Sequence, residues 1–155
     1  RDPDHSLVGS EMCIRDRAQD DTMKVIRDQT GAQKTMGYVV EIDEGVARVY
    51  LDIDHRHINR GDSLHGGVIA TLLDAACGYA VSLCVDGEKL FYTSTVSLTI
   101  NYMSRLSEGR VVATARISGG GQKIKFVDAM LVTEENVPVA SATGTFKLFN
   151  DTVSI

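Results

Sequence analysis

The chain lacks any long apolar run. No stretch reaches the roughly 18 uninterrupted apolar residues that suggest a membrane span, so no membrane association is expected. It also lacks a basic cluster. Lys and Arg number 16 against 21 Asp and Glu, a formal net charge of -5. An acidic chain without a basic patch suits no nucleic acid partner. A small anionic ligand stays open, because a local pocket can differ from the net charge. Cysteine is scarce: Cys13, Cys77 and Cys84 stand without framework spacing. Three such thiols argue for a reducing compartment rather than a disulfide scaffold. No secretory apolar segment is visible, and no internal repeat or linker interrupts Met23 to Asn150. A cytoplasmic location is expected.

What is present is ordinary globular material. The 155 residues are 43% hydrophobic and 24% charged, enough for one domain with a sizeable core. The first residues stand apart. Arg1 to Arg17, RDPDHSLVGSEMCIRDR, shows neither a helical nor a strand period. It is similar to the peptide that arises when sequencing-adapter DNA is translated, above all at SLVGSEMCIRD. Residues 1–22 are therefore expected to be non-native or disordered, with Met23 as the start and 23–155 as one domain.

Beyond Met23 the pattern reads as strands around one apolar helix. A short helix is expected near Met23 to Asp28, followed by a turn at Gly31. GYVVE (37–41) and VARVYLDI (46–53) make a hairpin over the Asp43-Glu44-Gly45 turn. His55 to Gly67 is a loop. From about Gly67 to Leu83, Val68, Leu72, Ala76, Tyr79 and Leu83 recur at helical steps, widened by Ile69, Leu73 and Ala80. The other side carries Ala70, Thr71, Asp74, Cys77 and Gly78, a narrow face of small residues around one acid. After Asp86-Gly87 the period becomes two. Leu90–Met103, Gly109–Ser118, Lys123–Glu134 and Val139–Phe149 read as four strands. The order is two strands, one helix, four strands. It predicts an α+β fold, a curved, mainly antiparallel sheet of about six strands wrapping a long central helix.

The stretch NRGDSLHGGVIATLLDAACGYAV resembles the PaaI-type acyl-CoA thioesterases of the hotdog superfamily. An Asn-led loop runs into His-Gly-Gly, and an acid follows nine positions after the His; here these are Asn59, His65, Gly66, Gly67 and Asp74. The resemblance continues through TSTVSLTINYM and GRVVATARI to Gly144-Thr145-Phe146, so it spans roughly Gly37 to Phe149. Two departures stand out. Arg105 occupies a place where many relatives carry Pro, and Gln122 one where many carry a basic residue.

The resemblance implies hydrolysis of an acyl-CoA substrate without metal or redox cofactor. Asp74 would act as general base or nucleophile, the Gly66 amide would polarise the carbonyl, and His65 would take a positioning role near the carbonyl or the coenzyme. Asn59 would hold water or the carbonyl, and Thr95 would orient water. The resemblance also implies a site shared between two subunits, hence a homodimer or a tetramer of paired dimers. Gly121, Gln122 and Lys123, with Lys125 and Arg105 nearby in character, are the candidates for coenzyme A contact.

Residue chemistry agrees with these roles without requiring them. Thioester hydrolysis needs an activated nucleophile, donors for the developing oxyanion, and a pocket that excludes water from the acyl group. Glycines and the free N–H groups of a helix start suit an anion. Each residue also has a plainer reading. Asp74 alone reads more readily as a solvated helix acid, His-Gly-Gly reads also as a flexible turn, Asn59 as a loop former, and Thr95 as strand propensity. His55-x-His57 would share a strand face and raise a zinc question, but no third and fourth ligand follow. Cys77 reads as core filling rather than a nucleophile. Two rival functions remain: a hotdog hydratase or dehydratase using His65 and Asp74, and a non-catalytic acyl-CoA or lipid-binding module.

Overall fold

The computed structural model describes residues 23–154. The expectations for residues 1–22, including Cys13, lie outside the described residues.

Seven strands form one sheet with every pairing antiparallel. In chain order they are β1 (Lys24–Ile26), β2 (Val39–Asp43), β3 (Val46–Asp52), β4 (Leu90–Tyr102), β5 (Arg110–Gly120), β6 (Ile124–Thr133) and β7 (Pro138–Val153). Helix α1 (Gly31–Met36) follows β1, and the long helix α2 (Gly66–Ser82) lies between β3 and β4. Across the sheet the strands run β1-β2-β3-β5-β6-β7-β4. Thus α2 carries the chain from the middle of the sheet to its far edge, and among the described residues β4 has a neighbour on one side only.

The apolar stripe of α2 packs on the inner face of the sheet. Val68, Ile69, Leu72, Leu73, Ala76 and Val81 meet Val49, Leu51, Val111, Ala113, Val127, Leu131 and Phe146 in one buried cluster. Leu72 and Leu73 are fully covered, and each such side chain contributes about 1.5–3 kcal/mol through burial. Tyr79 departs from the expected stripe and is only partly covered, for a reason the site explains.

The amino-terminal part differs from expectation. Residues 24–26 form a strand, not a helix, because they pair with β2 and bury Ile26. The helix begins at Gly31, where a turn is expected. Thr30 caps it, its hydroxyl accepting the Gln33 N–H at 3.1 Å. Gly37, at φ 76°, ends it in the left-handed conformation. With β1 included the sheet has seven strands rather than about six. Cys77 is fully buried in the core, as its reading as core filling expects, but it therefore leaves the small-residue face on which the helical period placed it. The strand between 139 and 149 continues to Val153, which pairs with Leu90 at the start of β4.

Candidate active site

Asp74 lies in the middle of α2, half-buried. It lines a cavity of about 420 Å³ between α2, the first half of β4 and α1. Thr71, Ala75, Gly78 and Tyr79 supply the helix wall, Phe91, Thr93 and Thr95 the strand wall, and Ala32 and Tyr38 the third side. The small residues beside Asp74 therefore leave room for a ligand, and Tyr79 is exposed to that room.

Thr95 reaches Asp74 because β4 is irregular. Leu98 pairs with Gly144 and Ile100 with Ala142, which puts both on the helix side of the sheet. Plain alternation back from Leu98 would place Val96 inward and Thr95 outward. The register instead shifts between Thr95 and Ser97, leaving Val96 as an extra residue. Such a bulge turns the preceding side chain to the other face. The Thr95 hydroxyl then donates to Asp74 Oδ1 at 2.7 Å. One carboxylate oxygen is held, and the other is left for the cavity.

The charge of Asp74 is felt across the cavity. Burial first, and then the Asp74 carboxylate, push the Tyr38 phenol up from its ordinary value. Burial, followed by Tyr38, does the same to Tyr79. The Cys77 thiol is pushed up to about 12 by burial and by Asp74 and Asp128, so it stays protonated and unreactive near neutral pH. Neither tyrosine was among the expected site residues: Tyr79 read as part of the apolar stripe, and Tyr38 follows a helix cap that the periodicity does not reveal.

His65, Gly66 and Gly67 sit at the start of α2. His65 is the N-cap, and its Nδ1 accepts the Gly67 N–H at 2.8 Å. The Gly66 carbonyl accepts a hydrogen bond from the Tyr102 hydroxyl at 3.1 Å, and the Tyr102 ring lies 3.4 Å from where a Cβ at 66 would stand. The Gly66 N–H has no acceptor among the described residues. Asn59 shapes the preceding loop: its Oδ1 accepts from the Gly61 N–H at 2.8 Å, the Ser63 N–H at 3.2 Å and the Ser63 hydroxyl at 3.3 Å. Arg105 braces the same loop by donating to the Gly61 carbonyl.

One chain does not bring these two groups together. Gly66 and Asp74 are eight positions apart on α2, about 12 Å along the axis. Asp74 and Thr95 form one cluster; Asn59, His65 and Gly66 form another. Gly121, Gln122 and Lys123 are exposed at the β5–β6 turn; the Lys123 carbonyl accepts the Leu148 N–H at 2.7 Å, and Leu148 pairs with Thr93 of the cavity wall. Lys125 pairs with Phe146, which pairs with Thr95, so it stands two strands, roughly 10 Å, from Thr95.

The His55-x-His57 pair is not on a strand. It forms a 3-10 turn in which the His55 side chain is 92% exposed and that of His57 only 2%. The two rings share no face, and no group of three or more His, Cys, Asp and Glu among the described residues could hold a metal.

A curved antiparallel sheet around one long helix is the architecture of the hotdog fold. The sequence profile of the thioesterase superfamily matches residues 61–140, and the chain belongs to that family. A putative esterase of Pseudomonas aeruginosa is 35% identical over 100 residues, 64% of this chain and 73% of its own length. The medium/long-chain acyl-CoA thioesterase YigI of Escherichia coli is 31% identical over 97 residues, 54% of this chain and 61% of its own. The PaaI protein of the Escherichia coli phenylacetic acid degradation operon superposes with a TM-score of 0.70 at 23% identity, covering 81% of this chain and 89% of that one. The protein is thus an enzyme with thioesterase activity. No helix among the described residues is long and apolar enough to cross a membrane.

Proposed function

We propose that the protein hydrolyses acyl-CoA thioesters in a site built by two copies of the chain. The observation that carries this reading is the Asp74 carboxylate, held by Thr95 at the wall of a cavity of about 420 Å³. A carboxylate so placed can take a proton from water or attack the thioester carbonyl itself. In the first route the water oxygen bonds to the carbonyl carbon while its proton passes to Asp74. The carbonyl oxygen becomes an oxyanion, and collapse expels the coenzyme thiolate, which then takes up a proton. In the second route Asp74 attacks the carbonyl carbon and expels the coenzyme thiolate, which takes up a proton, and water then opens the mixed anhydride to the free acid and the Asp74 carboxylate. Both need an ionised carboxylate and a donor for the oxyanion.

The unpartnered Gly66 N–H suits that donor role. Its separation from Asp74 in one chain is too large for both to reach one carbonyl group, so a second copy would supply it. The free edge of β4 supports the pairing. Among the described residues this strand of 13 residues has β7 on one side only, and Val96 on it is 61% exposed. A long unpaired edge gains by joining another. The His65 ring, occupied as a cap, and the Asn59 amide nitrogen, which has no partner among the described residues, would line the shared site. Lys123 and Lys125 would meet the coenzyme phosphates.

Mixing tests this directly. Asp74→Asn and Gly66→Pro homodimers should each release almost no thiol from a panel of acyl-CoA substrates. Coexpressed, they should regain part of the wild-type rate, because each mixed dimer keeps one intact site. No recovery in demonstrably mixed dimers would mean that both groups act within one chain. Thiol release that survives in Asp74→Asn would remove this acid from the chemistry, and binding without release by the wild type would favour a carrier role. Product analysis with enoyl-CoA separates hydrolysis from hydration.

A further inference from the structure

His57 is a buried imidazole that the proposed chemistry does not use, and both of its ring nitrogens are engaged. Nδ1 accepts the backbone N–H of Asp54 at 3.0 Å. An accepting Nδ1 carries no hydrogen, so in the neutral ring the hydrogen is on Nε2. Nε2 lies 2.7 Å from the Met36 carbonyl, which can only accept. The two contacts together define one tautomer. The Asp54 carboxylate lies 3.6 Å from Nδ1 and is itself held by Arg56 at 2.8 Å.

The two contacts lead to different parts of the machinery. Met36 ends α1; Gly37 and then Tyr38 follow, and Tyr38 and Ala32 form one wall of the cavity around Asp74. The Asp54 contact closes the 3-10 turn of residues 55–57. The carbonyl of His57 at the end of that turn accepts the His65 N–H at 2.8 Å. His65 is the cap of α2, one residue before the free Gly66 N–H.

We propose that His57 is a positioning residue that sets both contributions of its chain: the cavity wall through Nε2, and the Gly66 amide through the turn that Nδ1 closes. This rests on the thioesterase reading above, and the two fail differently. The ring touches neither substrate nor carboxylate; it acts through Met36 and His65.

The two ring nitrogens are separable by substitution. The amide of His57→Gln reaches the Nε2 position and keeps the donor to Met36, while His57→Asn keeps the acceptor for Asp54. We expect His57→Asn to raise KM and leave kcat near wild type, because the cavity wall loosens. His57→Gln should lower kcat with KM nearly unchanged, because the amide shifts. Misplacement of a positioned group by about 1 Å can cost up to about 100-fold, so changes of roughly tenfold are the expected scale. A purely structural histidine would lower the stability of both variants and leave kcat and KM of the folded fraction alike; that result overturns the proposal, as does wild-type kinetics in both. If neither variant folds, the ring 15N shifts of His57 in the wild-type protein decide. A protonated Nε2 with a bare Nδ1 is expected, and the other tautomer or a doubly protonated ring overturns it. Absence of thiol release by the wild type itself would sink the thioesterase reading instead, and the ring measurement would still stand.

Discussion

The Thr95 hydroxyl donates to Asp74 Oδ1 at 2.7 Å, and it does so only because Val96 is an extra residue in β4. A hydrogen bond to an ionised group contributes roughly 1.5–3 kcal/mol. Here its main effect is to fix which carboxylate oxygen faces the cavity. Thr95→Val should lower kcat by about tenfold, since a net loss of about 1.4 kcal/mol in the transition state is a factor of ten. Thr95→Ser keeps the hydroxyl and should stay within about twofold of wild type on the same scale. Steady-state thiol release with both variants checks this. Equal rates for Val and Ser would show that the hydroxyl is idle.

Gly66→Pro isolates the oxyanion donor. Position 66 is the first residue of α2, where proline is tolerated because its missing N–H had no helical partner. His65 has φ -65° and ψ 135°, a conformation that a following proline accepts. The variant should melt within a few degrees of wild type. Its kcat should fall by roughly 100- to 1,000-fold, the usual cost of one such donor. Retained kcat in a folded Gly66→Pro protein would assign the donor elsewhere.

Cys77 and Cys84 should differ sharply toward thiol reagents. Cys84 is exposed, whereas Cys77 is buried with its thiol pushed up to about 12. A raised thiol value means that the neutral form persists as pH rises, and only the thiolate reacts. In Cys13→Ser protein at pH 8, an aromatic disulfide reagent should titrate one thiol quickly. The second should appear only in denaturant. Rapid reaction of two thiols in the native protein would place Cys77 outside the core.

Gly144→Ala should be strongly destabilising. An added Cβ would stand 2.8 Å from Phe146 Cε2, 3.2 Å from Leu98 Cδ1 and 3.2 Å from the Ser97 carbonyl. Overpacking of this kind costs about 1–3 kcal/mol. Because Leu98 and Ser97 adjoin the bulge, the rate should fall as well as the stability. Urea unfolding and thiol release on the same sample measure both.

The strands of this fold are legible where one face is core and the other is not. β5 and β6 alternate along their lengths, so period two finds them. The stripe of α2 is equally plain. What period does not show is pairing. β1 has three residues, too short for alternation, and exists through its register with β2. The start of α1 was available in the Thr30-x-x-Gln33 spacing, a capping pattern, but its six residues give no stripe. Cys77 was misplaced because small residues look alike on a helical wheel, and only the curl of the sheet decides which are covered. Asp74 was legible as an anomaly, an acid among apolar neighbours. The inward turn of Thr95 was not, because one inserted residue inverts a face without altering composition.

The same irregularity bears on how such a site can be gained or lost. Were the bulge at Val96 smoothed into plain pairing with Leu98 and Ile100 unmoved, Thr95 would point outward, away from α2. The scaffold and its cavity would remain while the acid lost its tether. Deleting residue 96 would not do this, because Thr95 would then adjoin Ser97 and alternation would keep it inward. A slip in pairing, not the loss of a codon, would separate the vessel from the reaction it holds.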